Sequence, residues 1–275
     1  MEHLPDIQNG APLTIEQAIA NLQGDDLGLR VYAAWWLGRF RVKEDLAIQG
    51  LIAALRDEDD QTEAGGYPLR RNAARALGKL GDQRAVPHLQ EALTCSDFYV
   101  REAAALALEQ LGDGSVIPQL RNLLKNQMAG TQPAPEPPQL EQPFDAILEA
   151  LGRLGATDAM SEITPFLDHS VPRIRCAAAR ALYQLTADPQ QASQYGEMLV
   201  KKLANDDLQL RRALLADLGA IGYLPAAEAI AETLAENSLK LIALKGLLEK
   251  ELQQSSSAEL SGSALTVMAL MDGLL

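Results

Sequence analysis

Leu69-Arg-Arg-Asn-Ala-Ala-Arg-Ala-Leu-Gly78 is the stretch on which the reading of this chain turns. It recurs as Leu29-Arg-Val-Tyr-Ala-Ala-Trp-Trp-Leu-Gly38, Val100-Arg-Glu-Ala-Ala-Ala-Leu-Ala-Leu108 and Ile174-Arg-Cys-Ala-Ala-Ala-Arg-Ala-Leu182, with a weaker copy at Leu210-Arg-Arg-Ala-Leu-Leu-Ala-Asp-Leu-Gly219. Self-similarity at a fixed spacing is the signature of a repeat architecture, so it is read before any single helix. Take each Arg as position 0. Apolar residues then fall at +3, +4 and +7: Ala33, Ala34, Leu37; Ala73, Ala74, Leu77; Ala104, Ala105, Leu108; Ala178, Ala179, Leu182; Leu214, Leu215, Leu218. That spacing is one face of an α-helix.

Two copies keep the frame without the Arg, at Phe144 with Ile147, Leu148 and Leu151, and at Lys240 with Ala243, Leu244 and Leu247. Position 0 therefore falls at residues 30, 70, 101, 144, 175, 211 and 240, and the shorter spacings set a base period of about 30 residues. A shorter amphipathic segment precedes each phrase, as at Ala47 to Arg56, Val86 to Leu93, Val116 to Lys125, Ile163 to Leu167 and Tyr195 to Leu203. Pairing the two gives helix A, turn, helix B. The expected fold is an all-α, right-handed α-solenoid of about seven antiparallel helix pairs over residues 1–254.

Punctuation agrees with that unit. Pro87, Pro118 and Pro225 lie near the starts of A helices, where the missing N–H costs nothing. Leu80-Gly81-Asp82 and Leu111-Gly112-Asp113 close B helices, with Gly in the left-handed cap and Asp opening the next turn. The two longest spacings locate insertions at 57–67, with its acidic run and Gly65-Gly66, and at 128–143, with five prolines. Each is read as a surface insertion or as a loop touching a partner. Residues 255–275 form an apolar C-terminal segment, expected to cap the last repeat or to contact a partner.

Composition narrows the function. The chain has 275 residues, 47% hydrophobic and 4% aromatic, which suits closely packed Leu and Ala helices. A formal charge of −13 argues against coating nucleic acid. No stretch nears 18 consecutive apolar residues, and the tail from Ser261 is too short to span a bilayer, so no membrane role is expected. Cys95 and Cys176 form no C-x-x-C pair, and the expected compartment is the reducing cytoplasm. His3, His88 and His169 lack any metal-binding spacing, and no P-loop, G-x-G-x-x-G or G-x-S-x-G motif is present. No metal is expected. The acids of Asp57-Glu-Asp-Asp60 and Asp206-Asp207 are read as caps and solvated loop residues.

The position-0 Arg is read as a stacking element, pairing with an acid or carbonyl of the neighbouring unit. Positions +1, +5 and +9 lie away from the packed seam and line the inner face. They read Val31, Trp35, Arg39; Arg71, Arg75, Lys79; Glu102, Leu106, Gln110; Cys176, Arg180, Gln184; and Arg212, Ala216, Ala220. The first two units stand out, because Arg70, Arg71, Arg75 and Lys79 carry four cations with no acid, just downstream of Tyr32, Trp35, Trp36, Arg39 and Arg41. Aromatic planes beside guanidinium groups suit a flat conjugated ligand bearing carboxylates, or an acidic protein partner.

Arg-x-x-Ala-Ala-x-x-Leu-Gly at this period resembles the short HEAT-like repeat of the phycobilisome lyases. Tyr32-Ala-Ala-Trp-Trp-Leu-Gly-Arg-Phe-Arg41 and Gly65-Gly-Tyr-Pro-Leu-Arg-Arg-Asn-Ala-Ala-Arg-Ala-Leu-Gly-Lys-Leu-Gly-Asp82 sharpen the likeness to the E subunits of E/F-type phycocyanobilin lyases of cyanobacteria. The resemblance covers most of the chain. It implies a heterodimer with an F-type subunit that binds phycocyanobilin as substrate and delivers it to one cysteine of the phycocyanin α subunit as a thioether. No prosthetic group is implied, and no catalytic residue is assigned. The bilin would then meet Trp35, Trp36, Tyr32, Arg39, Tyr67, Arg70, Arg71, Arg75 and Lys79, with Arg71, Arg75 and Lys79 on its propionates. Metal-dependent HEAT enzymes such as the deoxyhypusine hydroxylases carry repeated His-Glu pairs, which this chain lacks. Two alternatives remain open: a subunit of the related phycoerythrocyanin lyase-isomerase, and a non-enzymatic scaffold or chaperone of the phycobilisome.

Overall fold

A computed structural model describes residues 13–128, 142–254 and 260–275. Most of the 128–143 insertion, part of the C-terminal segment and His3 lie outside the described residues. Among those described there are helices and turns and no strand. The A helices are α1 (Ile15–Leu22), α3 (Asp45–Ala54), α5 (Val86–Ala92), α7 (Ile117–Met128), α9 (Met160–Ile163, continued by a 3-10 turn Thr164–Asp168), α11 (Pro189–Lys202) and α13 (Ala227–Glu232). Their B partners are α2 (Leu27–Arg39), α4 (Pro68–Leu80), α6 (Phe98–Leu111), α8 (Phe144–Arg153), α10 (Pro172–Leu185), α12 (Leu208–Ile221) and α14 (Asn237–Gln254). A last helix, α15 (Gly262–Asp272), follows. The seven expected pairs are all present. α11 starts six residues before the periodicity suggests, because Asp188 caps it by accepting the Gln190 N–H and Pro189 opens it. No helix among the described residues is long and apolar enough to cross a membrane.

Packing divides the chain into two compact units, one of residues up to Asp113 with a short segment ending at Pro143, the other of the remaining residues from Gly114 onward. In the first unit α2 packs on α4 and α4 on α6; in the second, α8 packs on α10, α10 on α12 and α12 on α14. Every +3, +4 and +7 side chain of the seven frames is buried in these stacks. Each buried Leu contributes about 1.5–3 kcal/mol relative to exposure. The residue at +8 sets how closely the B helices approach. A Cβ on Gly78 would lie 2.8 Å from the Cα of Ala107, and Gly38 meets Ala76, Gly152 Ala181 and Gly219 Ala243 in the same way. Gly at +8 is thus the joint of the stack, set against the +6 Ala of the following B helix in three joints and against Ala243, at +3, in the fourth.

Helix ends are closed by the residues the sequence offers. Asp26, Asp97 and Asp207 accept the N–H of Leu29, Tyr99 and Gln209 at 2.8 to 2.9 Å, each cap contributing about 1 kcal/mol. Gly81 and Gly112 take the left-handed conformation, at φ 75° and 71°, and end α4 and α6 as expected.

Position 0 faces two ways. Arg30 donates to the Leu22 carbonyl behind it and pairs with Asp57 ahead; Arg211 donates to the carbonyls of Asn205 behind and Leu234 ahead. Arg101 donates to the Cys95 and Ser96 carbonyls, and Arg175 to those of His169 and Ser170. Where the sequence reading placed the partner in the neighbouring unit, the shared feature is the carbonyl of the same unit's A-to-B turn. Leu22 ends its helix and the other carbonyls lie in the turn just beyond one, where a cation suits the negative end of the helix dipole.

α15 packs on α13 and α14, burying Ala264 and Val267 beside Leu244 and Leu247.

Candidate functional site

Exposed aromatic side chains are the informative exception on a soluble surface, and α2 has two on one face. Tyr32 and Trp35 are 48% and 45% exposed, with ring centroids 5.6 Å apart and planes inclined by 31°. Together they form a tilted apolar shelf. Trp36 turns elsewhere, half-buried with its ring 4.7 Å from that of Phe40, and Arg39 places its guanidinium carbon 5.9 Å from the same Phe40 ring. Trp36 therefore belongs to an aromatic cluster at the C-terminal end of α2, and the shelf itself consists of Tyr32 and Trp35.

Arg71, Arg75 and Lys79 follow at intervals of four along α4, which puts all three on one helix face. The Gly38–Ala76 joint brings α4 close against α2, and adjacent packed helices of this kind lie roughly 8–10 Å apart. Trp35 and Arg75 both occupy +5, on successive B helices that pack on one another. Arg71 lies 5.8 Å from the Tyr99 ring on α6, and its Nε is buried without a hydrogen-bond partner. Arg75 reaches Glu102 Oε2 at 3.8 Å, a loose contact between half-exposed groups that contributes little to stability. Among the described residues no carboxylate stands within ion-pairing distance of Arg39, Arg71 or Lys79. In a chain of net charge −13 these cations are left for something else to neutralise.

Arg70 and Tyr67 do not join this face. Arg70 Nε donates to the Asp57 carbonyl at 2.5 Å, its guanidinium lies 3.9 Å above the Tyr67 ring, and one terminal nitrogen reaches Cys95 Sγ at 3.7 Å. Tyr67 in turn donates its backbone N–H to Asp97 at 2.7 Å. Both side chains hold the 57–67 insertion against its neighbours. Asp57 and Asp60 serve the same end, Asp57 through Arg30 and Asp60 through the Leu69 N–H, and burial pushes the Asp60 carboxyl up.

The second unit treats the same helix positions differently. Glu149 and Arg180, both at +5, and Asp217 at +6 are buried together, with Arg180 donating to Glu149 at 2.8 Å and to Asp217 at 2.9 Å. Arg173 pairs with the same two carboxylates and lies 3.8 Å from Asp145. Burial works against the Arg173 charge, but Asp217 and Glu149 outweigh it and raise its pKa. This network is internally compensated. Cys176 is buried beside it and its thiol is pushed up by that burial, whereas Cys95 is partly exposed; both are free. Of the inner-face stripe, only the part on α2, α4 and α6 offers uncompensated cations next to exposed rings. Tyr99 is a member that the stripe pattern misses, since it precedes position 0 by two residues; the run Asp97-Phe-Tyr99, a cap followed by aromatics, is the signal that could have found it.

The HEAT-repeat family model matches residues 15–94 and 63–129. The phycocyanobilin lyase subunit alpha of Microchaete diplosiphon is 71% identical over 276 residues, covering 100% of this chain and 94% of that protein. The subunit of the same name from Pseudanabaena tenuis is 68% identical over 96% of each chain. The bilin biosynthesis protein PecE of a Nostoc species is 43% identical over 89% of this chain and 90% of its own length. In the solved complex of CpcE and CpcF of phycocyanin lyase, also from Nostoc, a chain 60% identical superposes with a TM-score of 0.86 over 100% of this chain and 99% of that one. With a fold shared from end to end and identity of this order over its whole length, the chain belongs to the family of phycocyanobilin lyase alpha subunits.

Proposed function

We propose that the chain binds phycocyanobilin on the α2–α4–α6 face and, paired with an F-type subunit, presents it to a cysteine of the phycocyanin α subunit. What supports this reading is that the Tyr32–Trp35 shelf and the row Arg71, Arg75 and Lys79 stand on B helices packed against each other. A bilin is flat and apolar and bears two propionates, so it stacks and ion-pairs at once on such a face. Tyr99 would border it from α6. The phycocyanin type is preferred to the phycoerythrocyanin type because identity is 71% to the former's subunit and 43% to PecE.

The chemistry requires little of this chain beyond placement. The acceptor thiol adds across the ethylidene double bond of ring A: a carbon–sulfur bond forms, the π bond breaks, and the thiol proton goes to the adjacent ring carbon. Holding the two reactants in register converts an encounter into a near-unimolecular step. Neither cysteine of this chain is needed, and both being free suits the reducing cytoplasm where the acceptor thiol would also persist.

The test is bacterial coexpression of this chain, an F-type subunit, a phycocyanobilin pathway and apo-phycocyanin α subunit, scored by zinc fluorescence on a denaturing gel. A band that requires both lyase chains is expected; its absence with a folded acceptor and an intact heterodimer returns the reading to a scaffold. In bilin titrations Arg71→Ala and Arg75→Ala should each weaken binding by roughly tenfold, the worth of a charge-assisted hydrogen bond. Wild-type affinity in both variants would remove the face from the site.

A further inference from the structure

α15 has two unlike faces. Ala264 and Val267 point into the last helix pair, with Leu270, Met271 and Leu274 packed behind them, and Asn237 Nδ2 pins the Leu274 carbonyl at 2.8 Å. One step round the helix, Leu265 and Met268 stand 54% and 41% exposed, with Thr266 and Ala269 exposed beside them. Ser261 Oγ bonds Glu251 at 2.7 Å, which brings the start of α15 against the end of α14 and sets the exposed Leu260 and Leu252 next to that joint. From residue 260 to 275 the only ionisable side chain is Asp272. A capping helix that faced water would carry a polar outer surface, and this chain has charge in plenty elsewhere.

We propose that the outward face of α15, with Leu252 and Leu260 at its edge, is the docking surface for the F-type subunit; this rests on the heterodimer proposed above. The absence of charge over Leu260, Leu265, Thr266 and Met268 calls for an apolar occupant, which a carboxylate-bearing ligand would not supply. The occupant is the F-type subunit because a chain 60% identical to this one along its full length is found in a complex with a second lyase subunit, CpcF. The surface lies on a different helix pair from the α2–α4–α6 face.

The experiment mixes the purified full chain with an F-type subunit and follows the heterodimer by size exclusion with light scattering and by titration. The double variant Leu265→Asp/Met268→Asp should bind the partner roughly thirtyfold more weakly or worse, the scale of losing interface anchors, with helical circular dichroism retained. Thr266→Arg removes no buried group, and it decides the matter should the double variant misfold: weakened pairing supports the surface. Pairing at wild-type strength in either folded variant overturns the surface and leaves the lyase reading intact. A wild-type chain that does not pair with an F-type subunit overturns surface and heterodimer together. A wild-type chain that dimerises alone, and becomes monomeric in the variants, assigns the face to a second copy and overturns the proposed occupant.

Discussion

Arg70 and Arg71 are neighbours in the chain, and α4 sends their guanidinium groups to different places. Arg70 is 15% exposed and committed to the Asp57 carbonyl, with Glu58 Oε1 3.9 Å away. Arg71 rests near the Tyr99 ring with its Nε unpartnered. Arg70→Ala should therefore lower the urea midpoint, by about 1–3 kcal/mol of stability for a lost charged hydrogen bond, while the folded variant binds bilin as wild type does. Arg71→Ala should do the reverse. The helical phase separates them in the sequence, position 0 as a stacking element and +1 on the inner face, although both fall in the cationic run read as a bilin surface. Trp36 is a similar case: adjacent tryptophans read alike, and the packing of Phe40 on one of them decides which ring stays open.

At the scale of the helix pair, the frame of seven position-0 residues and their +3, +4 and +7 partners was legible, because a repeated error in the period would have scattered the apolar residues. The weight carried by +8 was not. Gly38, Gly78, Gly152 and Gly219 look like helix-ending residues in a Leu-Gly phrase, yet they sit inside the helices at the closest approach of adjacent B helices. Only the neighbouring helix reveals this, and no single repeat contains it. Gly78→Ala gains helix propensity but drives a methyl group into the Ala107 backbone, so the overpacking cost of about 1–3 kcal/mol should win and the thermal midpoint should fall. A midpoint equal to or above wild type would show that the joint opens without cost. The 3-10 continuation of α9 was likewise hidden, since five residues fix no period.

At the scale of the whole molecule, pH reads the ion pair by which α7 holds α9 within the second unit. Glu162 receives both Arg121 Nε and a terminal nitrogen at 2.7 Å, with Lys125 at 3.1 Å, and the Arg121 hydrogen bonds lead in holding its carboxyl down from the usual 4.5 to about 2. A carboxylate depressed on folding stabilises fully above its unfolded value and loses that contribution as pH falls through the folded one. The melting temperatures of wild type and Glu162→Gln should therefore differ by a constant amount above pH 5 and converge between about 4.5 and 2. Parallel curves throughout would show the pair to be thermodynamically silent. The contact of Glu102 with Arg75 has another consequence, because a delivery protein must let go of what it holds. The cation is already attended by a resident carboxylate, so on the proposed reading taking on a propionate would exchange one counter-ion for another. At 3.8 Å and partly exposed, Glu102 is a weak competitor, so on that reading it would ease departure without matching the hold of the propionate.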